Sequence, residues 1–166
     1  MIDMQRIYIV SGLLISLLVS GCSVLSPYSK LTKLDLQLTA SERLNPDLNG
    51  RPSPIVVRLF ELKNPVSFEN ADFFSLYESA KKTLAPDLVA NEEMELRPGQ
   101  VVNLKLSVHT ESRYVGVLAA YRDLSDAQWR YVIKVTPDGQ TQTALTLDQQ
   151  GITNANESAN NMGAQP

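Results

Sequence analysis

The feature that most limits what this chain can become is a period of two. In Leu34-Asp35-Leu36-Gln37-Leu38-Thr39, leucines alternate with polar residues without a break. Such alternation sets every second side chain on one face and marks a strand buried on that face only. The pattern returns at Val102, Leu104, Leu106 and Val108. Residues 55–62 are rich in β-branched and aromatic types, which favour strands. Residues 114–121 are nearly all apolar, as a strand covered on both faces would be. Residues 94–96, 129–135 and 141–147 complete a set of seven strands. Turn signals separate them at Arg97-Pro98-Gly99-Gln100, Thr110-Glu111-Ser112 and Pro137-Asp138-Gly139. Residues 68–84 break the rhythm, because Phe73, Leu76 and Tyr77 fall at helical spacing. Asn70 is the expected N-cap there, with Asp72 near the positive helix end. The sum predicts an all-β fold, a two-sheet β-sandwich with a short helical insertion between strands.

The amino terminus reads differently. Arg6 precedes an apolar stretch over residues 7–19, and the string Val19-Ser20-Gly21-Cys22 follows. A positive flank, a short apolar segment and a small-residue exit are the parts of an export signal. The apolar stretch is 13 residues, short of the roughly 20 that a helix needs to cross a bilayer. Val-Ser-Gly-Cys resembles the lipobox of bacterial lipoproteins. The resemblance implies cleavage between Gly21 and Cys22, a diacylglycerol on the Cys22 sulfur and acylation of the new amino terminus. The alternative is a free cysteine behind an ordinary cleaved signal. Ser23 stands where inner-membrane lipoproteins commonly carry aspartate, which favours the outer membrane with the domain facing the periplasm. The expected organisation is therefore a signal peptide at 1–21, a lipidated tether at 22–30, a sandwich domain at 31–148 and a disordered tail at 149–166. The tail is rich in Asn, Gln, Ala, Ser and Gly and lacks apolar spacing.

Removing residues 1–21 leaves 145 residues, enough for one domain with its own core. Asp3 and Arg6 leave together, so the formal charge stays at −3. That balance argues against a nucleic-acid partner. Cys22 is the only cysteine, so the mature fold holds by burial and hydrogen bonds rather than disulfides. The inventory for catalysis is thin. His109 is the only histidine, no Gly-x-Ser-x-Gly elbow is present, and no glycine-rich phosphate loop or metal-ligand spacing appears. The reading is a protein that is not an enzyme and needs neither cofactor nor metal.

Residues 40–54 form a long polar loop between the first two strands, with prolines at 46, 52 and 54. Loops of that length inside a domain are often functional, and prolines lower the ordering cost of binding. Leu44 and Leu48 are candidate apolar anchors, with Arg43, Asn45, Asp47, Asn49 and Arg51 as polar partners around them. The other reading is that the leucines fold back on the core and the loop is a solvated connector. Phe73 and Phe74 are read as helix residues packed on the sheet, and Trp129 as a sheet-face anchor. Tyr121-Arg122-Asp123 reads as a strand end with a buried tyrosine and a charge pair.

Several strings together carry a family resemblance. They are Leu-Thr-Ala-Ser at 38–41, Leu-Asn-Pro-Asp at 44–47, Gly-Arg-Pro-Ser-Pro-Ile-Val-Val-Arg-Leu-Phe-Glu-Leu-Lys at 50–63 and Ala-Asp-Phe-Phe-Ser-Leu-Tyr at 71–77. Tyr-Val-Gly-Val-Leu-Ala-Ala-Tyr-Arg-Asp-Leu at 114–124 and Trp129-Arg130 complete them. In this order behind a lipobox, the chain resembles the outer-membrane lipoprotein of the type VI secretion system, the TssJ/VasD family. The resemblance covers about residues 34–135. It implies a transthyretin-like sandwich, anchored to outer-membrane lipid through Cys22. It implies binding to the periplasmic domain of the inner-membrane component TssM (IcmF-like), several copies acting in one complex. It also implies that the loop between the first two strands makes that contact. A lipoprotein that carries a small ligand or escorts other envelope proteins is the competing reading, and requires a deep apolar pocket. An envelope hydrolase requires a nucleophile beside His109.

Overall fold

The computed structural model describes residues 31–155. The signal segment 1–21, Cys22 with the tether 22–30, and residues 156–166 of the expected tail lie outside the described residues. Eight strands are described: β1 (Thr32–Ala40), β2 (Ile55–Leu62), β3 (Leu88–Leu96), β4 (Val101–Val108), β5 (Tyr114–Ala119), β6 (Arg130–Lys134), β7 (Gln140–Leu147) and β8 (Ile152–Asn154). Two helices, α1 (Val66–Asn70) and α2 (Phe73–Thr83), lie between β2 and β3. The strands form two four-stranded sheets, ordered β4-β1-β7-β8 and β3-β2-β5-β6. Every neighbouring pair is antiparallel except β1 and β7, which run parallel. This is the two-sheet β-sandwich with a helical insertion that the alternation predicts.

Burial explains the patterns strand by strand. In β1, Thr32, Leu34, Leu36, Leu38 and Ala40 are buried, while the residues between them are exposed or half-buried. That strand has one wet face. In β2, Ile55, Val57 and Leu59 enter the space between the sheets, yet Phe60 and Leu62 are buried as well. The helices cover that second face. Phe60, Leu62 and Leu118 pack there with Phe68 of α1 and Leu76 of α2. β5 is apolar throughout for the same reason: Val115 and Val117 face the main core, and Leu118 faces the helices. The molecule is thus three layers, sheet on sheet on helix pair.

One glycine is required by this third layer. A Cβ at Gly116 would lie 2.9 Å from Cζ of Phe68, whose ring is fully buried and has no room to swing away. Gly116→Ala is expected to destabilise the domain by about 1–3 kcal/mol, the usual range for overpacking. A lowered urea midpoint with unchanged slope is the measurement that checks it.

Phe74, read as packed on the sheet, is exposed, and three further details differ from the sequence expectation. Asn70 is not an N-cap: it ends α1, donating from Nδ2 to the Val66 carbonyl oxygen at 2.8 Å. Asp72 caps α2 instead, accepting from Ser75 N at 3.0 Å and Ser75 Oγ at 2.6 Å. Those hydrogen bonds hold its carboxyl below the usual range. Second, β3 begins at Leu88, not near Met94; its Asn91-Glu92-Glu93 centre is an exposed edge and carries no alternation. Third, the tail expected to be disordered from residue 149 holds the eighth strand. Ile152 is buried and pairs with Leu147, while Asp148 accepts from Gln150 N at 2.7 Å and Gly151 N at 3.1 Å to form the turn. No described helix is long and apolar enough to cross a membrane.

Candidate functional site

Strand β1 gives the molecule two poles. Its nine residues span about 26 Å at ~3.3 Å per residue. The described chain begins at the Thr32 end. The β4–β5 loop and the β6–β7 turn share this end, since Thr32 pairs with Val108 and Lys33 N donates to Gly139 O at 2.8 Å. At the Ala40 end lie the β1–β2 loop, the β3–β4 turn, the β5–β6 connection and the β7–β8 turn. Ser41 N donates to Leu147 O, Ala40 N to Gln100 O and Gln128 N to Gln150 O, each at 2.8 Å. The loop singled out in the sequence therefore projects from the pole opposite the start of β1.

Within that loop the candidates separate into two sets. Leu44 is fully buried and joins the main core, so it takes the second of the two places open to it. Asn45 is also buried, at a φ of 45°. Its Nδ2 donates to Pro54 O at 3.0 Å and its Oδ1 accepts from Arg122 N at 2.9 Å. These two residues pin the loop to the sandwich and are not available to a partner. Asp47 then organises the tip. Its Oδ1 accepts from Asn49 N at 2.8 Å and Arg51 N at 3.0 Å, and its Oδ2 from Arg51 Nε at 2.8 Å. The bonds from Arg51 hold its carboxyl below the usual carboxylate range. What projects is Leu48, fully exposed, flanked by exposed Asn49 and Arg51, with Arg43 exposed nearer the strand. A charge-assisted turn that holds a bare leucine in water is a preorganised apolar tip.

Beside the tip lies an open depression that sequence reasoning missed. Pro46 and Leu48 form one wall, Asp123 and Asp126 another, Gln149 and Gln150 a third, and Tyr121 contributes to the floor. Tyr121 is buried, as its place at a strand end predicts. Among the described residues Arg122 and Asp123 form no ion pair, so that part of the expectation fails. The three segments are remote in sequence, and the Asn45–Arg122 bond, the Ser41–Leu147 bond and the Gln128–Gly151 bridge tie them together over a shared core.

The competing sites look different. Aliphatic side chains from both sheets pack between them, and the cavity of about 250 Å³ left at the β3–β4 edge is lined by Glu61, Glu92 and Lys105 as well as Leu59, Leu106 and Val115, unlike the deep apolar pocket that a ligand carrier needs. His109 stands at the Thr32 pole. Its Nδ1 is 3.0 Å from Glu61 Oε2, which also accepts from His109 N and Ser112 Oγ, each at 2.9 Å. The serine hydroxyl bonds the carboxylate and not the imidazole, so the nucleophile-to-base link of a hydrolase is not made. The cluster ties the β4–β5 loop to β2.

A compact sandwich whose described chain begins at one pole and which carries a rigid apolar tip at the other has the anatomy of a binding module. A family model described as type VI secretion lipoprotein (VasD, EvfM, TssJ) matches residues 32–150, and the chain belongs to that family, whose members are structural lipoproteins of a secretion system. The crystal structure of the T6SS lipoprotein TssJ1 from Pseudomonas aeruginosa is similar at 37% identity, covering 75% of this chain and 95% of that one, with a TM-score of 0.73. Serratia marcescens Lip, described as a membrane bound component of the type VI secretion system, is similar at 26% identity, 75% and 97% coverage and a TM-score of 0.69. A chain in the structure described as the T6SS protein TssM C-terminal domain (869–1107) from EAEC matches at 28% identity, 73% and 98% coverage and a TM-score of 0.63. No curated protein matches the sequence.

Proposed function

We propose that this protein is the outer-membrane lipoprotein of a type VI secretion apparatus. Acylated Cys22 holds it to the membrane facing the periplasm, and the far pole grips the periplasmic domain of TssM through the turn at Leu48, Asn49 and Arg51. The observation that carries this reading is the separation of the two poles by the length of β1, with the exposed leucine at the far one. The likeness to a chain of the EAEC structure, described as the T6SS protein TssM C-terminal domain, supports the choice of partner.

Leu48→Ala tests the grip. Leu48 touches no core residue, so the melting temperature is expected to stay unchanged. Burying a leucine side chain is worth about 1.5–3 kcal/mol, so affinity for the TssM periplasmic domain is expected to fall roughly 10- to 100-fold by titration calorimetry. Unchanged affinity would remove this turn from the contact.

A further inference from the structure

We propose that the Thr32 pole rests on a bilayer surface of anionic phospholipid headgroups through Lys33, Lys81, Lys82 and Lys134, and that this contact fixes the direction in which the far pole points. The proposal rests on the reading that acylated Cys22 anchors the chain. Two observations point to it: where the lysines stand, and how far residues 23–32 reach.

Lysine and arginine are sorted between the poles. Lys33 is the second residue of β1, and its N–H bonds Gly139 O in the β6–β7 turn. Lys134 ends β6 beside that turn and pairs with Tyr114, the first residue of β5. Lys81 and Lys82 lie in the last turn of α2, whose exit meets the end of β2 where Lys63 N donates to Asp87 O at 2.9 Å. The far-pole segments 41–54, 95–100, 120–129 and 148–151 hold no lysine, and their four arginines are outnumbered by Glu42, Asp47, Glu95, Asp123, Asp126 and Asp148. At the Thr32 pole the balance reverses. Segments 31–33, 63–66, 81–88, 109–113 and 134–140 carry five lysines and Arg113 against Asp87, Glu111 and Asp138. Lys63 is paired with Glu111, but the other four lysines are exposed and take part in no ion pair among the described residues.

Those four come from all three layers. Lys33 belongs to one sheet, Lys134 to the edge strand of the other, and Lys81 and Lys82 to the helices. Packed sheets alone are about 10 Å apart, so no single phosphate touches all four, whereas a flat array of headgroups does. Leu31 and Val66, two of the exposed large apolar side chains, stand at the same pole and suit the boundary between headgroup and acyl chain.

Residues 23–32 span at most about 36 Å from the acylated cysteine, at up to ~3.6 Å each. That brings the Thr32 pole to the lipid. It also exceeds the length of β1, about 26 Å, so the connection by itself leaves either pole free to face the membrane. An anionic surface draws the lysine pole and repels the carboxylate-rich one. Such contacts are weak singly and screened by salt, so they orient an anchored domain without replacing its acyl chains.

The test inserts the acylated full chain into preformed vesicles of phosphatidylcholine, with or without an equal part of phosphatidylglycerol. Lysines are then acetylated at 50 and 300 mM NaCl and read by mass spectrometry. On the anionic vesicles at 50 mM, Lys33, Lys81, Lys82 and Lys134 are expected to react at least 3-fold more slowly than on the neutral ones, and 300 mM is expected to remove the difference. Lys105, mid-strand opposite Asp35, is the internal control and is expected to change little. The double variant Lys33→Gln with Lys134→Gln is expected to melt as wild type and to lose the protection of Lys81 and Lys82. Equal rates on both vesicles, equal protection of Lys105, or protection retained in the double variant would each overturn the contact. The mass of the mature chain separates the two readings. If it carries acyl groups and the lysines react alike, only the headgroup contact falls. If it carries none, the anchor falls, and cosedimentation with the anionic vesicles at 50 mM decides the lysines: at least 3-fold above the neutral vesicles supports them, and equal sedimentation overturns them.

Discussion

Cys22→Ser is expected to release the protein from the membrane and to abolish secretion while leaving the domain folded. Under the proposed anchoring, every acyl chain hangs on this one residue. Serine offers no sulfur for diacylglycerol transfer, so the later cleavage and amine acylation have no substrate. Each methylene buried in lipid contributes about 0.8 kcal/mol, so two or more chains make attachment effectively permanent and none leaves the domain free. The described domain presents only scattered exposed apolar side chains and no membrane-crossing helix to compensate. The described strands and cores begin at Thr32, so the domain is expected to fold without the acylated residue. The expected pattern is therefore a shift from the membrane pellet to the soluble fraction, an unchanged melting temperature for the domain, and secretion reduced more than tenfold. Fractionation with a secretion assay checks it. Retention in the pellet, or normal secretion from a soluble protein, would remove lipidation from the account. The distance between the poles gives the effect its sense: a grip about 26 Å from the pole where β1 begins transmits force only if that end is fixed.

How far the chain could be read depended on whether its signals were local. β1 was legible because one of its faces meets water, so burial writes itself into the sequence at every second residue. β5 was legible as doubly covered, and the helices that cover it were found in the right place. β8 was not, because three residues in a polar segment carry no period; a single isoleucine, an aspartate turn and bonds to Gln128 hold it. Within the β1–β2 loop, Leu44 and Leu48 look alike in sequence, four residues apart among polar neighbours. What sends one inward and the other outward is Asn45, whose side chain bonds Pro54 and Arg122, the second of these 77 residues away.

Gly151→Ala is expected to be the most damaging single substitution in the described fold outside the large core side chains. Gly151 has a φ of 131°, and a Cβ there would lie 2.4 Å from Gln128 N and 2.6 Å from Gln128 O. The obstacle is backbone on both sides, so no side-chain rotation relieves it. Holding a residue with a Cβ at such a φ costs of order 1–3 kcal/mol. Separating the segments also loses Gln128 N to Gln150 O and Ile152 N to Gln128 O, both 2.8 Å, at about 1 kcal/mol each. The sum, about 3–5 kcal/mol, approaches the lower end of what a domain this size has in total, about 5–15 kcal/mol. The loss has a ceiling, however. β8 is a three-residue edge strand, and the chain escapes the clash by releasing it from β7. Partial release is therefore expected rather than global unfolding: a lower urea midpoint, with faster amide exchange in β7 where Leu145 and Leu147 pair with Asn154 and Ile152. Because Gln149 and Gln150 wall the depression, the same variant is expected to bind the TssM domain more weakly, although Leu48 is untouched. A wild-type midpoint with unchanged exchange in β7 would mean that the β7–β8 turn does not brace the far pole, and the three segments there would need another cause for their common geometry.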